Sequence, residues 1–429
     1  MKKITCLLSL CLCIFVCCKD DVEAVLQVAG DNRPELEKVL SHYRDEPLKL
    51  RAARFLIENM DAHYCYGGKA VDGYYHDMDS LFTHKEGDRG FWNTQYDSIL
   101  NLYRNGMNVD VKHRLYDVAH LKSDFLIASI DSAFNLWRRN WNKQYGFDVF
   151  CRYVLPYRVG EERPDNWRAE FAMSPGEVAD YERYTDNYSY AYNMANTRLQ
   201  WIRSTIFYPS CFLPDFPLSM LGHLKLGTCK EYAHLCVALL RTAGIPSAVD
   251  FVPQWGNRSL GHEWCAVLLG EGVTIPFAPG ERLGEHFAKR KEDRLPKVFR
   301  QTFEKRPESL RMIAREDEML PKVFDTPCIA DVTDEYMETS DVTVSNIRSW
   351  PVRVLPIWLF STTASGKLCI GGASAESVPC SSPWGVGWFT FRCITASPAC
   401  CVQAMFSFWT NTAGFVALSR TKPEDARCV

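Results

Sequence analysis

The sequence predicts an α+β protein in which a cysteine-bearing helix packs on antiparallel strands. Apolar residues recur at helical spacing across residues 22–62, which predicts helices near the N-terminus. The segment "LGTCKEYAHLCVALLRTAGIP" at 226–246 carries the start and stop signals of one helix. "SAVDFVPQ" and "HEWCAVLLG" follow it and are typical of strands. We therefore expect a helical N-terminal region, a mixed core and a C-terminal β-type region that is disrupted towards its end.

Composition limits the classes of function. The 429 residues are 47% hydrophobic and 24% charged, with a formal net charge of −3. A chain of this length can bury sizeable cores in about two or three domains. Because the charge balance does not favour an anionic partner, we expect no nucleic-acid binding.

The first residues have the pattern of an export signal. "MKKITCLLSLCLCIFVCCKDD" places two lysines before an apolar run that is too short to span a bilayer. It resembles a bacterial lipoprotein leader, which implies that residues 1–18 form the signal and that Cys18 is lipidated. The acidic residues after Cys18 resemble the surface-export signal of lipoproteins of the Bacteroides group. We expect an exported protein that is lipid-anchored to the outer membrane at the cell surface; an ordinary cleaved signal is the alternative.

Cysteine usage is compatible with a reactive thiol. Five of the 18 cysteines lie in residues 1–18, and 13 remain in the rest of the chain. An odd number in an exported protein leaves at least one thiol unpaired within the chain. The unpaired thiol is either a reactive cysteine or a buried inert one.

The expected domain organisation follows changes in composition along the chain. We predict a signal at residues 1–18, a helical N-terminal region at 19–112 and a helical aromatic-rich region at 113–200. The core follows at 201–325, the start of a β-type domain at 326–345 and a tail at 346–429. Within these regions, residues 63–112 read as irregular because they are rich in Gly, Tyr and Asp, and 285–325 have a helical tendency. Arg152, Arg158 and Arg168 lie among aromatic residues, where they either line a groove or pack on the rings.

The tail has an atypical composition. It is poor in charge, rich in Ser, Cys and Trp, and includes six cysteines from Cys369 to Cys428. No helix or strand period persists there. One hypothesis is that residues 346–429 derive from a shifted reading frame; the alternative is an unusual but genuine cysteine-rich domain.

Cys229 is the predicted first residue of the core helix. Thr228 and Glu231 have the spacing of a capping box, and Gly244 followed by Pro246 ends the helix. Unpaired amides at a helix N-terminus favour a thiolate, so Cys229 is a candidate nucleophile. The alternative is a buried apolar thiol, which is also what we expect of Cys236.

A nucleophilic thiol needs a base, and the strand that begins at His262 supplies a candidate. Strand alternation places His262 and Trp264 on one face and Glu263 and Cys265 on the other. A cysteine that opens a helix and a histidine that opens a nearby strand have the layout of papain-type catalysis.

The motifs resemble the core of the transglutaminase-like superfamily. "GTCKEYAHLCVALLRTAGIPS" and "GHEWCAVL" match its Gly-x-Cys motif, its GIP segment and its His-x-Trp motif over about residues 200–285. The resemblance implies that Cys229 is the nucleophile and His262 the base of a papain-type core. The flanking segments, such as "LPYRVGEERPDNWR", resemble uncharacterised lipoproteins of the Bacteroides group.

One position departs from the family pattern. Ala278, in "GVTIPFAPGE", stands where the family has the Asp that orients the histidine. Loss of such an orienting residue can reduce turnover by about 10⁴-fold. The carboxylates that could replace it are Asp250, Glu263 and Glu281. Trp255 and Trp264 either shape an acyl pocket or pack in the core.

Two functions are compatible with these residues. The first is a thiol-dependent hydrolase or transferase that acts on amide or acyl bonds of peptides, glycopeptides or cell-wall fragments. The second is a catalytically weakened surface module that binds glycan or peptide. Cys and His spacings form no closed ligand set, and His63, His76 and His84 are too scattered, so we expect neither a metal nor a cofactor. The expected membrane contact is through the lipid anchor alone.

Overall fold

A computed structural model describes residues 21–84, 87–137, 145–184, 186–199, 213–223, 227–255, 261–270, 272–278, 280–287, 295–316, 320–344, 359–362, 368–371, 373–374 and 389–393. Cys18 and most of the 346–429 tail lie outside these residues, so the predictions for the leader and the tail remain predictions. In the described part of the chain, we find no helix with the length and apolar character needed to cross a membrane.

Helices dominate the first half of the chain. They are α1 Asp21–Val28, α2 Arg33–His42, α3 Pro47–Asn59, α4 Lys69–His84, α5 Arg89–Asp110, α6 Asp117–His120, α7 Ser123–Trp137, α8 Phe147–Tyr153, α9 Trp167–Glu170, α10 Pro175–Tyr181, α11 Asn187–Met194, α12 Leu218–Leu221, α13 Cys229–Arg241 and α14 Leu310–Ile313. Short 3-10 helices cover Gly30–Asn32, Met60–Ala62, Lys322–Phe324 and Thr333–Glu335, and a π-helix covers Ala195–Leu199. The helices predicted for residues 22–62 are therefore confirmed.

The strands pair antiparallel throughout the described residues. They are β1 Tyr64–Tyr66, β2 Arg114–Tyr116, β3 Ser247–Val252, β4 His262–Leu268, β5 Thr274–Phe277, β6 Phe299–Gln301, β7 Ile329–Asp331, β8 Ser340–Val344, β9 Leu359–Thr362, β10 Leu368–Gly371, β11 Ala373–Ser374 and β12 Phe389–Cys393. The main sheet has the order β5-β4-β3-β6-β7. The predicted α+β class is confirmed, because α13 packs on this antiparallel sheet.

Apolar side chains on one face of the main sheet pack against α13. Cys236, Val237 and Leu240 of α13 share one hydrophobic core with Cys265 and Val267 of β4. The same core includes α4 and α5, so packing continues across the boundary expected at residue 200. A second core joins α1, α2, α3, α7 and α8. β7 adds to the main sheet beyond the boundary expected at residue 325, and β8 pairs with β12.

The expectation of an irregular segment at residues 63–112 was wrong. Its aromatic and apolar residues follow helical spacing, and α4 and α5 bury them against each other. Its glycines permit close helix contact: a Cβ on Gly73 would lie 2.5 Å from the Tyr103 ring, and one on Gly106 would lie 2.5 Å from the Ala70 Cβ. Glycine here reflects helix packing rather than loop structure.

The helical tendency expected at 285–325 was also largely wrong. In the described residues this segment holds β6, the four-residue α14 and extended chain. Its charges form ion pairs with other parts of the protein instead of pairs along a helix: Lys297 with Asp331 and Lys305 with Asp61. These tertiary contacts outweigh the local helix propensity of the segment.

Candidate functional site

Cys229 occupies the first position of α13, as predicted. The Thr228 hydroxyl caps the helix, and the Glu231 carboxylate accepts a 2.7 Å hydrogen bond from the Thr228 amide, which completes the predicted capping box. Gly244 has φ +73°, a left-handed conformation that suits a glycine after a helix end. Cys229 is half-buried, whereas Cys65, Cys151, Cys236, Cys265 and Cys328 are buried.

The surroundings of Cys229 do not favour its thiolate. Burial, followed by the negative charges of Glu263 and Glu231, raises the pKa of Cys229 to about 12, although the Glu263 amide donates to the sulfur. Burial also raises the pKa of the adjacent Glu263 carboxyl to about 7. The thiol thus lies beside a carboxyl group in a partly dehydrated place, where the neutral forms of both groups are stabilised.

A buried polar cluster lies behind the start of α13. The Lys230 ammonium donates to Asp215, whose other oxygen accepts a 3.1 Å hydrogen bond from the Glu161 amide. His234 is 2% exposed, and burial lowers its pKa. Its Nε2 atom lies 3.9 Å from Glu263 Oε2, and neither atom has a hydrogen-bond partner among the described residues.

Three members of this region carry atoms that metals accept. Ligand atoms of Glu162, Asp215 and His234 lie within 4.8 Å of one another. However, the Glu162 carboxylate accepts from two backbone amides, and the Lys230 ammonium already neutralises Asp215. The oxygens of these carboxylates therefore already accept from donors of the chain, and we assign no metal to them.

Gly160 brings the loop after α8 close to this cluster. A Cβ at this position would lie 2.4 Å from His234 Cε1 and 3.0 Å from Asp215 Oδ2. The His234 ring is enclosed and cannot yield, so the absence of a side chain at Gly160 lets the loop reach α13.

The His262 ring belongs to a stack of rings. Its centroid lies 5.6 Å from that of Trp255, 5.3 Å from that of His286 and 5.8 Å from that of Trp264. Because side chains alternate along β4, these rings lie on the sheet face opposite Glu263 and α13. Cys229 therefore lies beside Glu263, whereas His262 lies among the rings. The roles of Cys229 as nucleophile and His262 as base stay a prediction.

The residues considered as orienters of His262 have other partners. Ala278 directly follows β5, at the level of Trp264 in the register continued from the Cys265–Phe277 pair. Asp250 accepts from Arg300 at 2.8 and 2.9 Å and from the Tyr336 hydroxyl at 2.7 Å. Glu281 bonds His286 Nδ1 at 2.7 Å. Each of these carboxylates therefore orients a group other than His262.

Groove and packing were both possible for Arg152, Arg158 and Arg168, and the structure shows the contacts of each. Arg158 forms a buried ion pair of 3.2 Å with Asp117, and Arg168 donates to three backbone carbonyls while its guanidinium lies 4.3 Å from the Trp167 ring centroid. Arg152 pairs with Glu304 at 3.1 Å. Trp255 and Trp264 are each 1% exposed and belong to one core cluster. Packing, the alternative to a groove, thus describes Arg158 and Arg168.

A pocket opens beside the start of α13. It has a volume of about 370 Å³, and its lining includes Glu161, Asp215, Lys230, Glu263 and Lys322. Phe251, Val323 and Ile329 add apolar wall, while Gln301 and Thr302 add polar groups. The volume lies near the lower end of the range for small-ligand pockets, about 300–1,000 Å³.

The fold and this site define a domain in which a cysteine-opened helix packs on an antiparallel sheet. Residues 179–277 match the family model of the transglutaminase-like superfamily. The chain therefore contains a transglutaminase-like domain, which confirms the resemblance seen in its motifs. The matched segment includes Cys229 and His262 and ends one residue before Ala278. Searches among the curated proteins and among solved structures found no match.

Sequence reasoning missed most of the polar residues of the site. Asp215, Lys230 and His234 were not singled out, and neither was His286, which is fully buried against His262. A weak signal existed: His234 lies in an otherwise apolar stretch of the Cys229 helix. A buried polar residue on an apolar helix face requires a partner, and that partner could have been sought.

Proposed function

We propose that the transglutaminase-like domain is a binding module for peptides or glycopeptides, with weakened or no catalytic activity. The observation that carries this proposal is the setting of Cys229: its thiol lies against the Glu263 carboxyl, and its pKa is raised to about 12. The adjacent pocket offers charged, amide and apolar groups to a ligand. Such a mixed lining suits a peptide-like molecule.

Alkylation of Cys229 tests this function. In the full-length protein at pH 8, iodoacetamide is expected to label Cys229 roughly 50-fold more slowly than N-acetylcysteine, because the raised pKa removes thiolate and only part of the loss is offset by higher nucleophilicity. Mass spectrometry of the peptide that contains Cys229 measures the rate. His262→Ala should leave the rate unchanged. Labelling faster than N-acetylcysteine, with a rate that falls in His262→Ala, would contradict the proposal.

A second candidate function is thiol-dependent hydrolysis or transfer at amide or acyl bonds. It is favoured by the half-buried thiol at the first position of α13, where backbone amides can stabilise a thiolate. In this function Cys229 attacks a carbonyl carbon and His262 delivers a proton to the leaving amine. The position of the His262 ring on the face of β4 opposite α13 counts against this step. Water or an amine then attacks the thioester and releases the thiol. The alkylation experiment separates the two functions.

We also propose that the protein works at the cell surface, anchored through Cys18. The support is the leader sequence, in which a lysine-flanked apolar run ends at cysteines and acidic residues. Cells grown with labelled palmitate should incorporate label into the protein, and Cys18→Ser should abolish incorporation. Unchanged incorporation in that variant would exclude lipidation at Cys18.

A further inference from the structure

The pocket beside α13 has an unequal number of charges. Among the described residues that line it, Glu161, Asp215 and Glu263 are acidic, whereas Lys230 and Lys322 supply ammonium groups. The lining also includes Arg158, but its guanidinium forms a buried ion pair with Asp117 and does not count toward the pocket. The lining therefore has three carboxyl groups and two lysine ammonium groups.

The hydrogen-bond and ion-pair partners of the three carboxyl groups show which of them lacks a donor. Asp215 pairs with Lys230, and Glu161 accepts a 2.7 Å hydrogen bond from the Tyr64 hydroxyl. Glu263 differs, because its Oε2 atom has no hydrogen-bond partner among the described residues and lies 3.9 Å from His234 Nε2. Oε2 itself is enclosed, but the Glu263 side chain is 24% exposed, so a cation in the pocket can approach its carboxyl group. Such a cation stabilises the ionised carboxylate, which burial otherwise disfavours.

The other lining residues indicate which chemical groups the ligand carries next to its donor group. Gln301 and Thr302 line the pocket with polar side chains that can bond amide groups. Phe251 and Ile329 offer apolar surface to a side chain. Lys322, whose ammonium lies 5.7 Å from the Tyr66 ring centroid, suits a carbonyl or carboxylate oxygen.

We propose that this pocket binds the amino-terminal end of a peptide, with the ligand's α-ammonium against Glu263 and its first peptide groups against Gln301 and Lys322. The inference rests on the proposed binding function and names its ligand class. An ammonium supplies three donors and one positive charge, which is what the lining lacks. Glu263 is then the residue that determines specificity for a free amino terminus.

The test compares two peptides that differ in one charge. Trialanine and N-acetyl-trialanine are titrated into the full-length protein by calorimetry. Trialanine is expected to bind about 10-fold or more tightly, because a charge-assisted hydrogen bond contributes on the order of a tenfold change in affinity. Equal affinities, or no binding of trialanine, would overturn the inference.

Variants locate the preference at Glu263. Glu263→Gln is nearly isosteric and should reduce trialanine affinity to that of the acetylated peptide, while the acetylated peptide itself is unaffected. Glu170→Gln makes the same change at an exposed position outside the pocket and should alter neither affinity. A Glu263→Gln protein that still prefers trialanine would overturn the assignment. If Cys229 is alkylated slowly but trialanine and N-acetyl-trialanine bind equally well, this inference is wrong and the proposed binding function is still supported.

Discussion

Replacement of Arg300 by leucine is expected to lower the free energy of unfolding by about 3–5 kcal/mol, since it leaves a buried carboxylate without its cation. The Arg300 guanidinium contacts both oxygens of Asp250, at 2.8 and 2.9 Å, and the two residues are 3% and 0% exposed. Arg300 also pairs with Glu335 at 2.7 Å. The variant removes these contacts from the centre of the main sheet, where β3 and β6 are neighbours.

Denaturant unfolding followed by circular dichroism measures this effect. Lys38→Met is the control, because the Lys38 and Asp124 side chains are 60% and 88% exposed and their ion pair should contribute less than about 1 kcal/mol. Asp250→Leu combined with Arg300→Leu should recover part of the loss, since the fully buried carboxylate is removed, whereas Glu335 still lacks its cation. A loss in Arg300→Leu as small as that in Lys38→Met would contradict the role given to this pair.

The local part of the site could be predicted from sequence because its signals lie within a few residues. Thr228 and Glu231 cap the helix through contacts three residues apart, and Gly244 ends it through its own backbone conformation. The β3 and β4 strands follow from short runs that contain Val, Phe and Trp, residues that favour strands. Each feature depends on neighbours in the chain, so the sequence contains the information needed to predict it.

The orientation of β4 could not be predicted in the same way. Alternation correctly separates His262 and Trp264 from Glu263 and Cys265, but both faces of the strand are largely apolar. The face of β4 that packs against α13 depends on the packing of the whole sheet. In the structure it is the face that includes Cys265. A two-residue periodicity fixes which side chains share a face, and it does not state what covers that face.

The polar cluster depends on contacts that are distant in the chain. Gly160 and Asp215 approach α13 from separate segments, and Phe251 and Ile329 reach the same pocket from two strands. In α4 and α5, glycine suggested irregular chain although it serves helix contact at Gly73. Contacts of this kind follow from the packed fold, which a single sequence does not reveal residue by residue.

Asp215→Asn is expected to destabilise the protein by about 1–3 kcal/mol at pH 7, since it removes the charge partner of Lys230 while it preserves the side-chain size. The Asp215 and Lys230 side chains are 7% and 32% exposed, so the pair is only partly screened by water. Although burial opposes it, the charges of Lys230 and His234 lower the pKa of Asp215 from its ordinary value of 3.8. We also expect weaker trialanine binding, because Lys230 becomes free to pair with Glu263.

The lowered pKa of Asp215 also predicts how the stability difference between the two proteins changes with pH. A carboxyl group whose pKa is lowered by folding contributes stability above its unfolded pKa, and it loses that contribution as the pH falls through the folded pKa. The contribution of the Asp215 charge to the stability difference between the natural protein and Asp215→Asn should therefore shrink as the pH falls below 3.8. Between pH 7 and 5 the difference also changes, because the Asp215 charge raises the pKa of Glu263, which is about 7 in the natural protein. Asp124→Asn, at an 88% exposed position, should show a difference near zero throughout. A difference for Asp215→Asn that stays constant at low pH would mean that Asp215 does not act as the charged partner of Lys230, and the count of charges in the pocket beside Cys229 would have to be revised.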